Sequence, residues 1–188
     1  MAKKEKTTIP QNVKLKRLAK NIKEQAGEEA LVVVFASAEK YEQADAAAKA
    51  AWVENAVEHL ARVTSDEQCI RILQACGLEC CSQKHSDQAA DLKKKSASFK
   101  EFIAKLNAKS PLKLFLEEDG SLMVEYARCY CPLVNKASKP FKSTIYCNCS
   151  GGYLKKFLEP ALGKFIRVKV IQSVISGGPS CRFQIIST

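Results

Sequence analysis

Cys129-Tyr-Cys131, Cys147-Asn-Cys149 and Cys76-Gly-Leu-Glu-Cys80-Cys81 together hold seven of the nine cysteines of this chain. Cys181 is an eighth, two residues before Phe183 near the C-terminus. No apolar segment follows the basic start of the sequence, so it is not read as a secretory leader. Thiols this dense in a reducing compartment point to metal binding or thiol chemistry rather than to disulfides. An odd number of them also cannot pair completely within one chain.

Each spacing suggests its own chemistry. If Cys129 and Cys131 continue a strand, their separation puts both thiols on one face, and the same holds for Cys147 and Cys149. Cys181 is expected at the start of a strand, with Phe183 on its side and Arg182 and Gln184 on the other. Three strand segments could then bring cysteines to one point. Zinc takes a tetrahedral set of Cys or His ligands, usually including a pair of cysteines with roughly two to four residues between them. The C-x-C pairs lack that spacing, so the ligands would come from separate strands. Buried strand thiols without any metal are the competing reading. Cys149 also precedes an expected helix start, where the helix dipole favours thiolate over thiol, which suits either a ligand or a nucleophile. Cys76, Cys80 and Cys81, with His85 shortly after, form a looser candidate metal group. They equally suit small buried residues at a helix–loop junction. Cys69 is expected in a helix core, and His59 on a helix face.

The elements that must position these residues fall into two halves. Residues 12–25 repeat Val13, Leu15, Leu18, Ala19 and Ile22 at helical spacing, and Gly27 breaks the pattern. Residues 28–63 suggest one interrupted helix or two, with Trp52, Ala56, His59, Leu60 and Val63 on one face. Ser65 with Gln68, and Ser98 with Glu101, carry the capping-box signature of a helix start. The first of these helices is expected to bury Ile70 and Leu73 and to stop at Gly77. The second should bury Phe99, Phe102, Ile103 and Leu106. After Pro111 the period changes to two, and Asp119-Gly120 between alternating runs predicts a hairpin. Ser150 is expected to cap a helix closed by Pro160 and Gly163. Residues 164–176 and 180–187 then read as strands joined by a turn at Gly177-Gly178-Pro179. The fold class is therefore α+β, a helical N-terminal half packed on an antiparallel sheet with one crossing helix. Residues 1–110 form the helical region and 111–188 the cysteine-rich α+β region, as two units or one continuous domain.

Composition narrows the function classes. The strongest apolar run, residues 31–38, is far shorter than the roughly 20 residues of a membrane span, so the chain is read as cytoplasmic with no membrane partner. A net charge of +10 raises the question of nucleic acid. The cations are dispersed, however: Lys3, Lys4 and Lys6; Lys14, Lys16, Arg17 and Lys20; Lys155 and Lys156; Lys164, Arg167 and Lys169. Only Lys93-Lys94-Lys95 is a run, expected between helices. Aromatics are not interleaved as base stacking requires, so a solvated basic surface is preferred over nucleic-acid binding.

Residues 128–186 resemble the small-molecule-binding domain named for the bacteriochlorophyll 4-vinyl reductase. The similarity is greatest to its cysteine-rich bacterial branch of L-2-amino-thiazoline-4-carboxylic acid hydrolase-like proteins. The residues that carry the resemblance are Arg128-Cys129-Tyr-Cys131-Pro132, Tyr146-Cys147-Asn-Cys149-Ser150-Gly151-Gly152-Tyr153, Phe157-Leu-Glu159 with Gly163, and a closing segment. That segment comprises Val168-Lys-Val170-Ile-Gln-Ser173-Val-Ile, Gly177-Gly178 and Cys181-Arg-Phe183-Gln-Ile185. Ala75-Cys76-Gly77 is a further patch upstream. The resemblance implies an α+β domain with an internal pocket for a small organic ligand. In related aromatic-sensing domains of transcription activators, cysteines near the pocket hold zinc, and Cys149 and Cys181 sit where two such ligands fall. Gln172 stands where a sensor has glutamate, and Ile175 roughly where it has another cysteine. A complete zinc shell would therefore draw on Cys129, Cys131, Cys147 or the upstream Cys76 and Cys80.

The leading expectation is a small-molecule-binding protein of sensor or carrier type with a cysteine-ligated Zn2+ site and the option of a homodimer. One alternative is a metal- or thiol-dependent hydrolase with Cys149 as candidate nucleophile. A further alternative is an iron–sulfur or redox protein. The hydrolase reading has little acid–base support, since His59 and His85 are the only histidines.

Overall fold

A computed structural model describes residues 7–187; Lys3, Lys4, Lys6 and Thr188 lie outside the described residues. Six α-helices and a four-stranded antiparallel sheet make up the described chain, which is the expected α+β class. Helix α1 (Val13–Val34) begins where the Asn12 side chain accepts the Lys14 N–H, and it buries Leu15, Leu18 and Ile22. Gly27 interrupts it with φ 88°, a conformation that costs glycine little. Helix α2 (Ala46–Val63) starts at Asp45, whose carboxylate accepts the Ala48 N–H. Val63, expected on the buried face of that helix, is exposed.

Helix α3 (Asp66–Cys80) opens with Ser65 accepting the Gln68 N–H, as the sequence signature requires. The Gln68 side chain does not complete the box; it donates instead to the Gln25 carbonyl and ties α3 to α1. Ser65→Ala should therefore cost about 1 kcal/mol, read as a lower urea midpoint. Helix α4 (Gln83–Lys94) is capped by Ser82, and helix α5 (Phe99–Lys109) by Ser98. Lys93 and Lys94 thus belong to the last turn of a helix, where cations face the negative end of its dipole, and not to a linker.

Strands β1 (Leu112–Leu116) and β2 (Leu122–Tyr126) form the expected hairpin, with Gly120 at φ 82° and Asp119 accepting the Ser121 N–H. After a long loop, α6 (Asn148–Leu162) crosses to β3 (Ile166–Gln172), and β4 (Cys181–Ser187) returns. The sheet order is β1-β2-β4-β3. Val124 pairs with Phe183 and Tyr126 with Cys181, so the inner face presents Leu114, Val124, Phe183, Val168 and Ile185. Helix α6 packs against β3 on one side and against α3 and α4 on the other, while α1 lies on α3 and α2 on α1. A single apolar core runs from Leu15 of α1 through Leu73 and Leu158 to Ile185 of β4. No helix among the described residues is long and apolar enough to cross a membrane.

Several local expectations are corrected. Gly77 does not end α3, which continues to Cys80, because the glycine is needed inside the helix for contact with α6. In the same helix Ile72 takes the buried position expected of Ile70. Strand β2 stops at Tyr126, leaving Cys129 and Cys131 in the loop that follows. Residues Ile145–Cys147 form a 3-10 turn that leads directly into α6, so Ser150 lies inside the helix and caps nothing. Helix α6 also runs through Pro160 and ends at Leu162, with Gly163 in the left-handed region as its cap.

A candidate thiol centre between α1, α3 and α6

Glycines bring α3 and α6 together. A Cβ built on Gly77 would lie 1.9 Å from the Cys149 carbonyl oxygen, and one on Gly152 would lie 2.0 Å from the Gln74 carbonyl oxygen. The two backbones are therefore in direct contact at this crossing. Cys80 lies one turn beyond Gly77, in the last turn of α3, and Cys149 lies in the first turn of α6. Cys80 and Cys149 are brought close there, and the side chain of each perturbs the ionisation of the other.

Helix α1 covers this junction with two cations one turn apart. Arg17 Nη1 donates to Cys80 Sγ at 3.4 Å, and Lys14 Nζ donates to Cys131 Sγ at 3.8 Å. Glu79, beside Cys80, is held by Asn21 and Lys20 and lies 4.0 Å from the Arg17 guanidinium. Cys131 comes from the loop after β2, and its sulfur lies 3.1 Å from the Tyr146 hydroxyl. Cys76, one turn before Cys80, is buried behind it. Half-buried Cys80 and Cys131 thus sit beneath a pair of basic side chains.

The electrostatics single out one sulfur. The hydrogen bond from Cys149, the charge of Lys14 and the hydrogen bond and charge of Arg17 outweigh partial burial and lower the Cys80 pKa to about 6. Its partner moves the other way: the interaction with Cys80 and burial raise the Cys149 pKa well above the usual thiol range. Burial pushes Cys76 and Cys147 up to about 12 and Cys129 to about 11. The expectation that the start of α6 would make Cys149 the thiolate is therefore reversed. A helix terminus contributes about 0.3–1 kcal/mol to an exposed charge. Direct charge-assisted hydrogen bonds to the neighbouring sulfur are stronger.

Several of the remaining cysteines make hydrogen bonds of their own, away from the Cys80 sulfur. Cys147 and Cys149 were expected on one strand face, but helical geometry turns them apart, and Cys147 Sγ lies 2.9 Å from Ser173 Oγ in the interior. Cys181, buried on β4, accepts the Val174 N–H at 3.4 Å. Cys129 is half-buried in the loop, Cys81 donates to the Ser82 carbonyl, and Cys69 is buried within α3. All nine thiols are unbridged. His85 lies on the exposed side of α4, where its Nδ1 is 3.1 Å from the Tyr153 hydroxyl. Among the described residues no three His, Cys, Asp or Glu side chains are arranged to hold a metal ion. Within the expected set of Cys129, Cys131, Cys147, Cys149 and Cys181, the thiols of Cys181, Cys129 and Cys131 are near enough to Cys147 to raise its pKa. A cavity of about 490 Å³ lies elsewhere, between Phe99, Leu116, Leu162 and Ile185, and no cysteine lines it.

Lys14 and Arg17 were not singled out in the sequence. The available signal was weak: an i, i+3 pair of cations on the helix that lies over the cysteine-bearing one.

The fold and the site define an α+β protein with a cation-covered dithiol at a helix crossing. Its chain belongs to the DUF6144 family, a family of unknown function, whose model matches residues 7–188. No curated protein matches it at a significant level. Among solved structures it is similar to the crystal structure of the phenol-responsive sensory domain of the transcription activator PoxR with phenol. That similarity has a TM-score of 0.30 and 12% identity over 96% of this chain and 76% of the other.

Proposed function

We propose that this chain is a binding protein of sensor or carrier type that captures a small thiophilic ligand through Cys80. The observation that carries the reading is the Arg17 guanidinium donating at 3.4 Å to the half-buried Cys80 sulfur, at the helix crossing where Gly77 abuts Cys149. A thiolate held by donors and cations, with a second thiol alongside, is a pre-formed nucleophile and soft-ligand donor. Hydrolysis at this centre is less well supported, because the groups acting on Cys80 are Cys149, Lys14 and Arg17, with no histidine to serve as base.

A second reading is zinc held by thiolates, in keeping with the resemblance to 4-vinyl reductase-type domains. It is favoured by one observation: Cys76, Cys80 and Cys131 are all close enough to Cys149 to influence its ionisation. Reduced protein purified without added metal decides between the two. If the first holds, the metal-to-protein ratio is well below one and Cys80 is alkylated readily near neutral pH. One zinc per chain, lost in Cys80→Ala and Cys149→Ala, with Cys80 shielded from alkylation, would replace it with the second.

A further inference from the structure

We infer that Cys80 and Cys149 form a nucleophile–resolver pair for thiol–disulfide exchange with disulfides of anionic small thiols. The inference rests on the reading of Cys80 as the reactive sulfur and adds a reaction and a substrate class. Three features of the site carry it.

The first is the pairing itself. The two side chains perturb each other's ionisation, although Cys80 and Cys149 are separated by 69 positions in the sequence. The backbone contact at Gly77 and Gly152 sets the end of α3 that carries Cys80 against the start of α6 that carries Cys149. The second is the asymmetry between them. Both are half-buried, but Cys80 accepts the Arg17 N–H at 3.4 Å, whereas among the described residues no cationic side chain donates to Cys149. Attack by one sulfur followed by resolution by the other needs this division of roles. The third is charge. Arg17 and Lys14 lie over the sulfurs, and among the described residues Lys14 makes no ion pair, its Nζ facing Cys131 instead. A disulfide bearing carboxylates would meet this pair on approach.

The reaction balances without a further oxidant. The Cys80 thiolate attacks one sulfur of the disulfide RSSR; a Cys80–S–SR bond forms, the S–S bond of RSSR breaks and RS⁻ leaves. Cys80 has now lost its negative charge, so it no longer opposes ionisation of Cys149, and the charge of Lys14, which makes no ion pair among the described residues, favours it. Cys149 gives its proton to solvent or to RS⁻ and attacks Cys80 Sγ. The Cys80–Cys149 bond forms and the second RS⁻ departs. The two protein thiols are oxidised and RSSR is reduced to two RSH.

The test uses the reduced full chain with oxidised glutathione as the anionic disulfide and cystamine as its cationic counterpart. Peptide mapping of wild-type protein should find Cys80 joined to Cys149. Cys149→Ser should accumulate glutathione on Cys80 instead, and glutathione disulfide should react about tenfold faster than cystamine at low ionic strength, a preference lost in high salt. A bond joining Cys80 to Cys76 or Cys131, or no bond while iodoacetamide still modifies Cys80 rapidly, overturns the exchange reaction and leaves the proposed function standing. A preference for cystamine overturns the substrate class. Cys80 inert to both disulfide and iodoacetamide overturns both.

Discussion

Gly77→Ala is expected to lower the urea midpoint by the equivalent of about 3 kcal/mol, and Gly152→Ala by a similar amount. Alanine normally stabilises a helix interior over glycine by roughly 1 kcal/mol, so the expected sign is set by the crossing and not by propensity. The added methyl group would lie 1.9 Å from the Cys149 carbonyl oxygen in one case and 2.0 Å from the Gln74 carbonyl oxygen in the other. Both obstacles are backbone atoms within helices, so relief requires α3 and α6 to move apart. Gly151→Ala is the control. Its Cβ would meet Val168 at 3.7 Å, an ordinary contact, and the variant should be as stable as the parent or slightly more so. If Gly77→Ala matches Gly151→Ala in stability, the close helix contact is not present in solution.

The second large effect concerns the reactivity of Cys80. Because its pKa is lowered to about 6, Cys80 should be mostly thiolate at neutral pH while the buried thiols are protonated. Removing both cations, as Lys14→Ala with Arg17→Ala, should slow its alkylation near pH 6 by about tenfold or more. Cys149→Ala should act in the same direction by removing the largest contribution that lowers the Cys80 pKa, whereas Cys149→Ser keeps a polar neighbour and should retain most of the reactivity. Lys14→Ala with Arg17→Ala alters no core apolar contact, so its circular dichroism should be unchanged, whereas Cys149 packs against the core and its variants are compared at matched stability. Equal labelling rates in all four proteins would show that α1 does not act on the thiol. Gly77→Ala links the two effects, since a parted crossing should also return Cys80 toward ordinary thiol behaviour.

Much of the architecture was legible because it is written in local rules. Ser65 and Ser98 announce their helices through the hydrogen bonds they make, Asp119-Gly120 gives the hairpin, and the alternation of residues 181–187 reports its own buried face. Local rules failed where tertiary contact decides. Gly77 has the chemistry of a helix stop but serves as a contact point, because what matters there is the Cys149 carbonyl beside it. The segment around Cys147 and Cys149 looked extended because two cysteines alternate with polar or aromatic neighbours. Continuity with α6 makes it helical, and this separates the thiols. Density of cysteine identified the right chemical class. The partnership of Cys80 with Cys149, and the cations from α1, depend on a helix crossing that no spacing within one segment encodes.

The most direct test is the pH dependence of iodoacetamide labelling, cysteine by cysteine, in the reduced full-length chain. The account predicts that Cys80 is modified first, with half-maximal rate near pH 6, the value to which Cys149, Lys14 and Arg17 lower it, while Cys149, Cys76 and Cys147 react only at far higher pH. Cys149 reacting ahead of Cys80, or Cys80 titrating in the ordinary thiol range with the rest, would contradict it.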